Sequence, residues 1–113
     1  MNIQIFGTNK CNDTKKAIRY FKERKINYQF IDMKQKGMSR GELASVLQAL
    51  GGFENILNPD CRDKQALALV RHISDSSRED TLLDNQQVIK TPIVRAGRQT
   101  TAGYMPDVWK AWD

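Results

Sequence analysis

A chain of 113 residues with 40% apolar side chains can bury one modest core, and no apolar run in it is long enough to span a bilayer. The formal net charge is +5, but its basic residues run from Lys10 to Lys110 with acidic ones among them. No Lys/Arg block interleaved with aromatics appears, so a solvated basic surface is expected rather than direct nucleic-acid binding.

The first segment, Met1-Asn2-Ile3-Gln4-Ile5-Phe6, lacks a basic stretch followed by a long apolar one. It reads as a strand ended by Gly7 and not as a secretory leader. Two cysteines, Cys11 and Cys61, are too few for a disulfide-stapled secreted domain, so a reducing, cytoplasmic setting is expected. Gly7 to Asp13 is a polar loop. Ala17, Ile18 and Phe21 share one face at helical spacing, which predicts a helix from about Asp13 to Arg24. Asn12, Asp13 or Thr14 is expected to cap it. After a turn at Asn27, Tyr28, Phe30 and Ile31 read as a second strand, closed by Asp32. Two strands joined by a helix of this size make a βαβ unit with parallel strands.

A polar linker from Lys34 to Met38 leads to Ser39-Arg40-Gly41-Glu42, the pattern of a capping box. Leu43, Val46, Leu47 and Leu50 form the apolar face of the helix behind it, and Gly51-Gly52 ends it. Asn58-Pro59-Asp60 is a turn, and Lys64 to about Ile73 is a further amphipathic helix. Ser76-Ser77-Arg78-Glu79 suggests a second capping box before a short helix at Thr81-Leu82-Leu83. Residues of about 39–85 thus read as a helical insert. Strands return with Ile89, Ile93 and Val94. Gly97 opens a turn, and Gln99 to Ala102 returns antiparallel. Pro106 suits the first turn of a last helix, Asp107 to Trp112, whose tryptophans are expected to pack on the sheet. Pro92, directly before a core strand, removes a ladder donor and suggests a cis Thr91-Pro92 bond. The order βαβ, helical insert, ββ, α predicts an α/β protein of thioredoxin-like fold, a mixed four-stranded sheet in one domain over 1–113.

Cys11 carries the main chemical signal. It precedes a helix, where unpaired N–H groups and the macrodipole favour an anion, and Lys10, Lys15 and Lys16 add positive charge. Both effects raise the thiolate fraction and suit thiol–disulfide exchange. His72 has no ligand spacing with either cysteine, so no metal site is expected, and it reads as a surface helix residue.

Gly7-Thr8-Asn9-Lys10-Cys11-Asn12-Asp13-Thr14-Lys15-Lys16-Ala17 resembles the active-site loop and first helix of the arsenate reductase (ArsC) family, which includes the Spx-type regulators and glutaredoxin-like proteins. Tyr28 to Asp32 is similar to that family's second strand, and Gly51 to Asn58 to its Gly-rich turn. Ile89-Lys90-Thr91-Pro92-Ile93-Val94 is similar to its cis-proline segment, and Ala102-Gly103-Tyr104 to the following turn. The resemblance implies a thiol oxidoreductase with Cys11 as nucleophile. It implies that the backbone at Thr91, before Pro92, pairs with a substrate's extended chain; Lys15 by its charge supports the thiolate, and Thr14 either donates to it or caps the helix. It implies no bound cofactor, with glutathione as co-substrate and a low-molecular-weight thiol or glutaredoxin as partner. Cys61 follows a position that faces the active site in the family, so it is either a resolving thiol or an unrelated cysteine in a turn.

Two departures narrow this. Family members that reduce arsenate hold the oxyanion with three arginines, since a multiply charged anion beside a thiolate needs positive compensation. Those positions fall here at Asp60, Thr91 and Met105, which speaks against arsenate reduction; Arg62, Arg95 and Arg98 lie nearby in sequence. The Spx branch uses a Cys-x-x-Cys switch, and here Thr14 replaces the second cysteine. Binding to RNA polymerase without that switch is the alternative reading.

Overall fold

A computed structural model describes residues 2–112 of the chain. Strand β1 is Ile3–Gly7, helix α1 is Asn12–Glu23 and strand β2 is Tyr28–Asp32. Helices α2, α3 and α4 are Arg40–Leu50, Lys64–His72 and Asp75–Asp84. Strands β3 (Ile93–Ala96) and β4 (Gln99–Ala102) form a hairpin, and α5 is Pro106–Trp109. The chain divides into two compact units, one of residues 1–37 and 91–113 and one of residues 38–90.

The first unit holds a four-stranded sheet in the order β2-β1-β3-β4. β1 pairs parallel with β2, as the βαβ reading requires, and antiparallel with β3; β3 and β4 are antiparallel. This mixed sheet is the thioredoxin-like arrangement. Alternation decides its faces. Ile3, Ile5, Val94 and Ala96 form one cluster with Ala17, Tyr20 and Phe21 of α1 and with Trp109 and Trp112. Trp109 packs edge-on against Tyr20, with ring centroids 5.3 Å apart, and lies 5.1 Å from Phe21. Its indole N–H donates to the buried Thr101 Oγ1 at 2.7 Å, so the polar edge of a core tryptophan is satisfied. Burying side chains of this size contributes about 1.5–3 kcal/mol each. The last helix is shorter than expected: regular α-helix ends at Trp109, and Trp112 is carried by a turn.

The second unit is helical. Ser39 and Glu42 form the reciprocal capping box read from their spacing: Glu42 N–H donates to Ser39 Oγ at 3.2 Å, and Ser39 N–H donates to Glu42 Oε1 at 2.9 Å. Gly51 ends α2 with φ +85°, a left-handed conformation that costs a glycine little. Leu43, Val46, Leu47, Leu67, Val70 and Leu82 are buried.

Two expectations fail in this unit. No box forms at Ser76–Glu79, because α4 already starts at Asp75 with Ser74 as N-cap and no side-chain cap bond. Arg78 instead reaches the carbonyls of Val70, Arg71 and Ile73, at 3.1, 3.2 and 3.3 Å, and satisfies the C-terminal end of α3. Ile89 does not join β3: it forms an isolated bridge with Leu57. The unit therefore runs to Lys90 and not to about 85. The end segment is held by Asn58 N–H donating to Val88 O and Lys90 N–H to Ile56 O, both at 2.8 Å. The Gln86 side chain also accepts from Met38 N–H at 2.7 Å and donates to Met38 O at 2.9 Å, which ties the two ends of the insert together.

Among the described residues no helix is long and apolar enough to cross a membrane.

Candidate functional site

The site is built at the C-terminal end of β1. Gly7 closes the strand, and Thr8 starts a tight loop in which Cys11 N–H donates to Thr8 O at 3.2 Å. Cys11 is itself the N-cap of α1, with extended φ −83° and ψ 118°, and none of Asn12, Asp13 or Thr14 takes that role. The reason is local: helical hydrogen bonding starts when Lys15 N–H donates to Cys11 O at 3.1 Å, which places Asn12 inside the first turn. The sulfur is thereby carried on the residue from which the first unpaired helical N–H groups radiate.

Thr91 supplies the facing wall. The Thr91–Pro92 bond is cis, as the sequence suggested. Thr91 Oγ1 donates to Cys11 Sγ at 3.1 Å, and the thiol faces Thr91 O at 3.6 Å. Gly103 N–H donates to Pro92 O at 2.8 Å and fixes this segment to the end of β4. The Thr91 side chain is a contact that sequence reasoning missed. Its backbone was expected at the site, but nothing local to the sequence says where its hydroxyl points.

Burial is the largest influence on the Cys11 thiol and raises its pKa. The Thr14 side chain, the Thr91 hydroxyl and the backbone N–H groups of Thr14 and Asp13 act the other way, and together they hold the thiol below its ordinary value. Thr14 is fully buried, and its hydroxyl forms no hydrogen bond of normal geometry among the described residues. Its influence on the sulfur is that of a close dipole. Room for it comes from Gly7: a Cβ there would lie 2.6 Å from Thr14 Cγ2 and overlap its hydroxyl as well. The strand's last residue and the helix's third therefore interlock beside the thiol, a feature no motif announces. Lys15 contributes its backbone bond, while its side chain, like those of Lys10 and Lys16, is exposed.

The positions expected to hold arginine in an oxyanion site carry other chemistry. Thr91 uses its hydroxyl on the sulfur, and Met105 is the exposed N-cap of α5. Arg98 sits in the hairpin turn, separated from Pro92 by β3, roughly 13 Å of extended chain. Cys61 belongs to the second unit, where it is buried, its sulfur 3.4 Å from Gln87 O and 3.9 Å from Asp63 O. Both cysteines are free thiols. His72 is exposed on α3, as expected of a surface helix residue. Among the described residues no three His, Cys, Asp or Glu side chains gather as a metal site would need.

The ArsC family profile matches residues 6–112. Among solved structures, a protein of Bacteroides fragilis described as related to the ArsC family superimposes with a TM-score of 0.82 at 19% identity, covering 97% of this chain and 96% of that one. The arsenate reductase of Vibrio cholerae gives 0.81 at 22% identity, over 96% and 94% of the two chains. The glutaredoxin-like NrdH-redoxin of Escherichia coli gives 0.50 at 17%, over 100% and 96%. At these identities the likeness is one of fold. No curated protein matches the chain in sequence. The profile match spans nearly all of it, from the strand before the thiol loop to the last tryptophan, and the chain belongs to the ArsC family.

Proposed function

We propose that this protein is a thiol oxidoreductase that works with one nucleophilic cysteine, Cys11, on disulfide substrates coupled to glutathione or glutaredoxin. The observation that carries the reading is the sulfur's surroundings. It sits at the N-cap of α1, it accepts the Thr91 hydroxyl at 3.1 Å, and donors hold its pKa down. In the first step the Cys11 thiolate attacks one sulfur of an oxidised partner such as glutathione disulfide. The old S–S bond breaks, a mixed disulfide forms on Cys11, and the other sulfur leaves as a thiolate. In the second step an external thiol attacks the adduct and Cys11 leaves as thiolate. Cys61 is an alternative resolving thiol. The Thr91 backbone is the natural rail for the substrate's extended chain. Arsenate is a poor fit, because the residue against the sulfur is a threonine and not a guanidinium. Two free cysteines in a chain of this size suit a reducing compartment such as the cytoplasm.

Intact mass analysis after exposure to glutathione disulfide tests this. One glutathione adduct, mapped to Cys11 and removed by glutaredoxin with glutathione, is expected. A folded protein that forms no adduct on Cys11 would sink the proposal. If such a protein nevertheless captures RNA polymerase equally well as wild type and as Cys11→Ser, the chain is a binding module of the Spx kind.

A further inference from the structure

A groove of about 310 Å³ lies within the first unit, between α1 and the segment that carries α5. Lys16, Arg19 and Glu23 line it from α1, at positions i, i+3 and i+7 on one helical face, and Arg24, the C-cap, extends that wall. Lys110, Asp107 and Tyr104 line the other side. Four cations thus face two carboxylates. Among the described residues none of the four cations is paired with a carboxylate. Arg24 stacks on the Tyr20 ring at 3.8 Å and Lys16 lies 5.8 Å from the Tyr104 ring, so two of the four cations meet aromatic faces that do not neutralise them. The same segment exposes Tyr104, Met105 and Val108, three of the four large apolar side chains exposed among the described residues. An excess of cations over carboxylates beside concentrated exposed apolar surface suits a protein-docking site.

We infer that this groove docks an acidic segment of a protein partner, one that presents several carboxylates together with an apolar side chain. Charge complementarity sets the sign of the partner. The two carboxylates set its class. A nucleic acid brings a phosphate every few ångströms along its backbone and would meet Glu23 and Asp107 unfavourably. A peptide can leave neutral or basic residues opposite them and place an apolar side chain on Met105 or Val108. The inference concerns binding and does not depend on the reactivity of Cys11.

The probe is a short cysteine-free fluorescein-labelled peptide of repeating Glu-Glu-Leu, titrated with the full chain at low salt and read by anisotropy. The controls are a Lys-Lys-Leu peptide and a labelled dT oligonucleotide of the same length. The acidic peptide is expected to bind. Its affinity should fall by about tenfold or more in Lys16→Glu/Arg19→Glu, two exposed positions whose exchange leaves the core intact, and more weakly in Tyr104→Ala. Amide shift changes should fall on α1 and on residues 104–110. Unchanged affinity in the double variant, tighter binding of the oligonucleotide, or no binding of the acidic peptide would each overturn the inference.

Discussion

Cys11 and Cys61 lie in the two compact units of one chain, and their sulfurs have different balances of donors and acceptors around them. Around Cys11 the neighbours mostly donate: the Thr91 hydroxyl at 3.1 Å and backbone N–H groups at the start of α1, against the single carbonyl of Thr91 at 3.6 Å. Around Cys61 they accept: the carbonyls of Gln87 and Asp63, at 3.4 and 3.9 Å. A sulfur surrounded by donors is stabilised as the anion, whereas one facing carbonyls uses its proton to satisfy them. Cys11 is half-buried and Cys61 buried. The same side chain on the same chain thus meets donors at a half-buried helix start in one place and carbonyls in a buried core in the other.

The contrast breaks most directly at the thiols. Cys11→Ser should abolish both the glutathione adduct and fast alkylation by iodoacetamide, while Cys61→Ser should leave the rate of Cys11 adduct formation near wild type; intact mass and peptide mapping distinguish the two. If Cys61 is the resolving thiol, only release of the adduct without added thiol should slow in Cys61→Ser. In the native protein Cys61 should react at least ~100-fold more slowly than Cys11, because its labelling waits on local opening. Comparable rates would erase the distinction.

The next effects are on stability, one in each unit. Gly7→Ala forces a Cβ into the Thr14 side chain, and overpacking of this kind costs about 1–3 kcal/mol in urea unfolding. It should also disturb Cys11, since the displaced threonine is part of the thiol's surroundings. Ser39→Ala removes the capping box of α2 and should cost about 1 kcal/mol, with no change in Cys11 alkylation.

The finest test is Thr91→Val. Removing the hydroxyl donor should move the midpoint of pH-dependent Cys11 alkylation upward, toward the ordinary thiol value of about 8.5, with unfolding unchanged at acidic pH. The linkage has a definite sign. A thiol whose folded pKa is depressed stabilises the fold fully above its unfolded pKa, and that contribution disappears as pH falls through the folded value. Wild type should therefore gain stability over Cys11→Ser at alkaline pH and lose the gain on acidification.

Much of this molecule was legible before any coordinates. The Ser39/Glu42 box, the glycine stop at Gly51 and the period of α1 and α3 are local signals, and they held. Ile3 and Ile5 read as strand residues, and they lie in the β1 core. The misreadings share a cause. Asn12, Asp13 and Thr14 all have the side chains of a cap, yet Cys11 takes the position, because the loop closes on Thr8 one residue earlier. Ile89 has a strand residue's shape, yet its partner is Leu57, a contact across 32 residues that no local pattern encodes.

For the site the division is similar. The sequence by itself determined that a cysteine stands between a strand and a helix and that a proline precedes a returning strand. Those are statements about residue type and spacing. Only the tertiary structure decided that the Thr91 hydroxyl meets the sulfur from 80 positions away, that Gly7 makes room for Thr14, and that Cys61 meets carbonyls while Cys11 meets donors as well as the Thr91 carbonyl. Such facts depend on side-chain direction and on which distant backbone arrives alongside, and these are fixed when the sheet pairs and the core closes.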